Sequence, residues 1–302
     1  MRLVNFSRYL LKGRREAILL ALLFTMIPFF HWVSVVIVAF IVLQKGLYEG
    51  LMVLMWSSLP YVVLAGLGYW QPLIDSILLG SLCVFGLAAL LRRLTSLKWT
   101  IQIAALFFVG AIFLLHTFFP HLSAWWADEL LQTGQLLAKQ AAFLKINRDQ
   151  IKALATLFSE YATGVQAMMI LLFAFINLLI ARYLQLLLVS PVIFRLEWLS
   201  LKLDYFMSIL FMVFAVIAFL PYPYAHFLKD ALPVFVLIFS VAGISLIHGY
   251  LSVYRRAWVN LFYIMLIVFT IVFPAGWLGI ILAAWLDSFL NLRKYFSYKM
   301  SK

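Results

Sequence analysis

The chain has 302 residues, 66% of them hydrophobic and 11% charged, with a mean hydropathy of +1.06; an average soluble chain has about 45–50% apolar and about 25% charged residues. That balance excludes a water-surrounded globule and leaves lipid as the main solvent. The formal charge of +12 does not require a nucleic-acid partner, because Lys and Arg in a membrane chain first set its orientation.

In chain order, residues 1–16 are basic (Arg2, Arg8, Lys12, Arg14, Arg15) and lead into the apolar string AILLALLFTMIPFF. No small-x-small cleavage site follows, and the apolar stretch continues to Leu43, so it reads as an uncleaved first membrane element. Runs free of Asp, Glu, Lys and Arg cover 17–44, 50–74, 99–127, 161–181, 205–228, 231–254 and 257–286, each reaching the roughly 17–25 residues of a spanning helix. They lack the alternation of a lipid-facing barrel, so their backbones must be satisfied within helices. Cys83 is the single cysteine, which excludes an internal disulfide and a cysteine zinc site.

Loop charges fix the expected topology. If 17–44 crossed once, Arg92, Arg93 and Lys98 would fall outside, against the rule that basic loops are cytoplasmic. Read as two short helices breaking near Pro28 to Trp32, the segment returns the chain to the cytoplasm at Lys45. The same treatment at Pro274-Ala275-Gly276 divides 257–286. Both termini are then cytoplasmic, with eighteen of the 23 basic residues inside. The five outside are Lys139, Lys145, Arg148, Lys152 and Lys229. The expectation is an all-α, polytopic bundle of about eight to ten membrane segments including two short helical hairpins, forming one membrane domain over 1–302 and facing the anionic headgroups of membrane lipids.

The one sizeable loop, 120–160, carries Leu122, Trp126, Leu130, Leu137, Ala141 and Leu144 at mostly helical spacing. This predicts an amphipathic extracytoplasmic insertion, and Asn147 with Gln150 has the pattern of a capping box opening a second helix. Trp125 and Trp126 either anchor that insertion at headgroup depth or belong to a lid over an outward-opening cavity.

Intramembrane catalysis needs a nucleophile with its base, paired aspartates or a metal cluster. No HExxH or GxSxG string occurs, and the five histidines are dispersed, so neither enzymatic activity, a cofactor nor a metal is expected. The amides Gln102, Asn177 and Asn260 sit within apolar runs, where they either bond between helices or line a polar pocket. Small residues four apart, Ala17-Ala21, Gly46-Gly50 and Gly279-Ala283, let helix backbones approach. At the end of the chain, GWLGIILAAWLDSFLNLRKYF puts Asp287 and Asn291 on one helical face with Arg293 just beyond, a helix-end network.

The GRREAILLALL opening with Pro28, the KGLYEG turn at 45–50 and the closing Gly276, Gly279, Asp287 and Arg293 resemble the YybS-like family, bacterial inner-membrane proteins with a domain of unknown function. That family is distantly similar to the substrate-binding S components of energy-coupling-factor transporters. The resemblance implies that Ala17 and Ala21 form a docking face for a membrane coupling subunit. This chain departs from the S components in its length, its additional membrane segments and its 120–160 insertion. The function expected is non-catalytic binding of a small aromatic or amphipathic molecule, possible transport requiring a separate ATPase because no GxxxxGK[ST] string is present. The alternative is a non-transporting protein that organises membrane partners.

Overall fold

The computed structural model describes residues 2–27, 29–140, 147–220, 225–254, 256–272 and 275–294, and every regular element among them is helical. Pro28, Ala141, Leu144, Lys145 and Pro274, used above to place breaks, the insertion and the loop charges, lie outside the described residues. Four helices are long and apolar enough to cross a membrane: Leu47–Gly66, Leu97–Phe118, Ala162–Leu187 and a stretch from His226 to Val253. These mark the chain as a membrane protein. The chain divides into two compact units, 1–104 with 170–201 and 105–169 with 202–302, a division that hydropathy does not show.

The first unit contains α1 (Arg2–Lys12), α2 (Arg14–Met26), α3 (His31–Lys45), α4 (Leu47–Gly66), α5 (Gln71–Leu73), a wide π turn (Ile74–Ser81), α6 (Leu82–Leu94), the start of α7 (Leu97–Phe118) and the short helix 191–199. Its centre is α3, where ten consecutive residues from Ser34 to Leu43 are buried. A helix apolar on all sides must be surrounded, and α2, α4 and α6 pack on it. The expected break between α2 and α3 is present. With 13 and 15 residues, the two helices are roughly 20 and 22 Å long, short of a hydrocarbon core of about 30 Å. Thr25 on α2 donates to Ser34 Oγ on α3 at 3.0 Å, tying the pair together.

The KGLYEG turn has a local reason. Gly46 takes φ +111°, a left-handed value that other residues resist, and there α3 stops and α4 begins. Four residues on, a Cβ at Gly50 would lie 3.2 Å from the Val42 backbone. The last carbonyls of α3 are capped by Arg92, which donates to Val42 O at 2.9 Å and Leu43 O at 2.8 Å, and by Gln185, which donates to Leu43 O at 3.2 Å. A cation at a helix C-terminus also meets the negative end of the helix dipole.

The second unit contains the remainder of α7, α8 (Leu122–Gln140), α9 (Arg148–Ser159), the start of α10 (Ala162–Leu187), and, after the first unit's α11 (Pro191–Leu199), helices α12 (Tyr205–Ala218), α13 (Ala225–Tyr254), α14 (Arg256–Val272) and α15 (Gly276–Leu290). α13 is its axis, with α12, α14 and α15 packed along it. Phe211 and Phe214 of α12 stack on Phe235 of α13 at ring separations of 5.9 and 5.2 Å. At Gly243 a Cβ would come within 2.4 Å of Ile280 O, so only glycine lets α15 approach α13 there. The expected break between α14 and α15 is also present.

Candidate functional site

Ala17 and Ala21 are both fully buried, with Thr25 continuing their strip along α2. α2 packs on α1, α3 and α4. In this chain the two small residues are therefore covered by its own helices. Gly279 departs differently. A Cβ there would meet nothing within 4 Å, so the close approach expected of it belongs to Gly243.

The three amides separate. Gln102 and Asn177 are buried, and each donates back to its own helix, to Lys98 O at 3.2 Å and Phe173 O at 2.8 Å. Asn177 Oδ1 has no protein partner among the described residues. Asn260 on α14 is exposed, so it faces outward from this chain rather than towards a neighbouring helix.

The insertion folds as a helical pair. Gln150 Oε1 accepts from the Asn147 N–H at 3.0 Å, completing the capping box that opens α9. A Cβ on Gly134 of α8 would sit 2.6 Å from Ile151 Cγ2, so α8 and α9 meet closely at that glycine. Trp125 and Trp126 lie against each other edge to face at 4.8 Å but have different surroundings. Trp125 is 55% exposed, whereas Trp126 Nε1 donates to Thr163 Oγ1 at 2.9 Å.

Two nearly inaccessible carboxylates stand out. Asp287, 1% exposed near the end of α15, accepts from Arg293 Nε at 2.8 Å. Arg293 also reaches Ser245 Oγ and Ala242 O, each at 3.1 Å. Burial lowers the Arg293 guanidinium from its ordinary value, and the bond to Asp287 and its charge oppose that. Asn291 takes the left-handed conformation and its N–H returns to Asp287 O at 2.9 Å, ending the helix. The helix-end network expected from the sequence is therefore a clasp between α15 and α13, and Gly276 forms the other end of the same helix.

The second carboxylate escapes a sequence reading. Asp230, also 1% exposed, sits in the second turn of α13. His116 Nε2 of α7 lies 2.9 Å from its Oδ2, and the Gly164 N–H donates to its Oδ1 at 2.6 Å. A Cβ on Gly164 would fall 1.6 Å from the Asp230 carbonyl oxygen, so α10 begins in direct backbone contact with α13. Nearby, Lys229 pairs with Glu160 at 2.7 Å. Hydropathy treats Lys229 and Asp230 as a loop between two apolar runs; the one available signal was an acid next to a long apolar stretch, which says nothing about a histidine 114 positions away.

The unit also has an apolar groove of about 370 Å³ formed by α13, α14 and α15, whose walls include Leu251, Trp258, Phe262, Met265, Trp277 and Ile280. A second groove of about 450 Å³ lies between α12 and α15, against Phe211, Phe219 and Trp285. Among the described residues, no group of three or more His, Cys, Asp and Glu could hold a metal ion. The fold and these features define a multi-pass type of helical membrane protein. No family model, curated protein or solved structure matches the chain.

Proposed function

We propose that the protein is a non-catalytic binding subunit of the bacterial inner membrane, taking up an apolar or amphipathic small molecule in the groove between α13, α14 and α15. The observation that carries this reading is the groove itself. Its volume, about 370 Å³, is within the roughly 300–1,000 Å³ of small-molecule sites, which are lined mostly by apolar and aromatic groups. Two tryptophans and a phenylalanine in its walls suit an aromatic ring or an acyl chain. A groove with so little polar lining favours a ligand that arrives through the bilayer over one that arrives through water.

The resemblance to YybS-like proteins supports an S-component-like role, with a separate coupling subunit and a separate ATPase as partners in any transport. The coupling subunit would then use a surface other than Ala17 and Ala21, which are covered by the chain itself. The uneven distribution of basic residues supports cytoplasmic termini and an extracytoplasmic α8–α9 pair. Cysteine introduced at Gln132 should be labelled from the outside only, and labelling from the cytoplasm alone would reverse this orientation.

Native mass spectrometry of the detergent-purified chain tests the binding reading. The wild type should carry a stoichiometric small molecule or lipid, and Met265→Trp, which fills the groove, should release it while leaving the protein inserted. A wild type without any bound molecule, or a filled groove that keeps it, overturns the reading.

A further inference from the structure

We infer that Asp230 is the positioning residue of a latch that holds the α8–α9 pair against the helix bundle, and that the pair swings free as one body when the latch is broken. The inference stands on the polar node around Asp230 and is independent of what the apolar groove holds.

The attachment is built from donors and acceptors whose directions are fixed. An indole N–H can only donate, so Thr163 Oγ1 must accept from Trp126. Thr163 is followed directly by Gly164, whose N–H donates to Asp230 Oδ1 at 2.6 Å. His116 Nε2 lies 2.9 Å from the second oxygen of the same carboxylate. The chain of bonds thus runs from α8 through the first turn of α10 into the buried interior of α13, with the end of α7 closing it from the other side.

Little else buries α8. None of its residues is buried, and Trp125, Leu136 and Leu137 are each more than half exposed. Its close contact at Gly134 is with α9, inside the moving body. The Glu160–Lys229 pair stands beside the node, but both side chains are partly accessible, and ion pairs of that kind contribute little. α9 buries Ile151, Ala155 and Ser159, and of these Ile151 packs on Gly134 within the pair; α8, with no buried residue and one hydrogen bond to α10, has the makings of a local opening unit. The carboxyl group is well suited to hold it, because both of its oxygens are engaged and hydrogen bonds gain strength where water is excluded.

The test is hydrogen exchange measured by mass spectrometry on the full chain in lipid nanodiscs. Thr163→Val keeps the shape of the side chain but offers Trp126 no acceptor, and Trp126→Phe removes the donor. Each should speed exchange of amides 122–140 by about threefold to tenfold, the range of one lost hydrogen bond, with amides 231–250 unchanged. Asp230→Asn should speed the same amides more than either, and Thr163→Ser, which keeps the hydroxyl, should exchange as the wild type does. Lys229→Met is the control and should leave 122–140 within about twofold, as expected of a partly exposed ion pair. Unchanged exchange over 122–140 in both Thr163→Val and Trp126→Phe overturns the latch. So does loosening that spreads equally through 231–250, since that would make the node a general support of α13.

Discussion

Asp230 and Asp287 lie near opposite ends of the α13 packing unit, equally inaccessible at 1% exposure, yet they are held in different ways. Asp287 is answered by Arg293, a cation six residues along the chain that keeps its charge at any ordinary pH. Asp230 is answered by His116, 114 residues away, and by the Gly164 N–H at the start of α10. A guanidinium left without its carboxylate keeps its charge, whereas the Gly164 N–H that bonds Asp230 is neutral from the start. The first arrangement therefore suits a fixed clasp between α15 and α13. The second can be disturbed without stranding a permanent charge, which is the property needed where a part must release.

The strongest way to break this comparison is at the clasp. Asp287→Asn should destabilise the protein by about 3–5 kcal/mol, the usual cost of leaving one member of a buried pair unanswered, read as a lower thermal midpoint in detergent. Adding Arg293→Met should recover most of that loss, because removing both charges removes the desolvation penalty as well. If the double variant is no more stable than the single one, the pair is not the source of the effect.

Asp230→Asn is expected to cost less, about 1–3 kcal/mol, since it leaves misdirected donors rather than a bare charge. The sign of the difference is what matters. A loss at Asp230 equal to or above that at Asp287 would show that the two nodes are energetically alike. The smallest effect belongs to Lys229→Met, which should shift stability by no more than about 1 kcal/mol, because its pairing with Glu160 is partly exposed. A larger shift would move the weight of this end of α13 from the buried carboxylate to the outer ion pair.

These two nodes also mark how far a sequence can be read. The Asp287 network was legible because its parts are local: helical spacing puts Asp287 and Asn291 on one face, and Arg293 follows within a turn or two. The two helix breaks were legible for a similar reason, as was the capping box at Asn147 and Gln150, where the interacting groups are three residues apart. Ala17 and Ala21 show the limit. Their spacing indicates a close-packed strip, and the strip is close-packed, but spacing does not say whether the neighbour is another chain or α3 of this one.

The same limit divides Gly243 from Gly279. Both are small residues in apolar helices, yet one lies against Ile280 and the other faces open space, and only the neighbouring helix makes the difference. Asn260, expected among helices, is exposed on α14.

By itself the sequence determined that the chain is helical, apolar and made for a bilayer, and where several helices start and stop. Those properties depend on hydropathy, local spacing and the backbone's need to satisfy itself in lipid, all of which act within a few turns. Only the tertiary structure decided that His116, Thr163, Gly164 and Asp230 meet, that Trp126 joins them and Trp125 does not, and that Arg92 caps α3. Each of these is a contact between side chains far apart in sequence, set by which faces of the helices pack together, and no local pattern of residues encodes that choice.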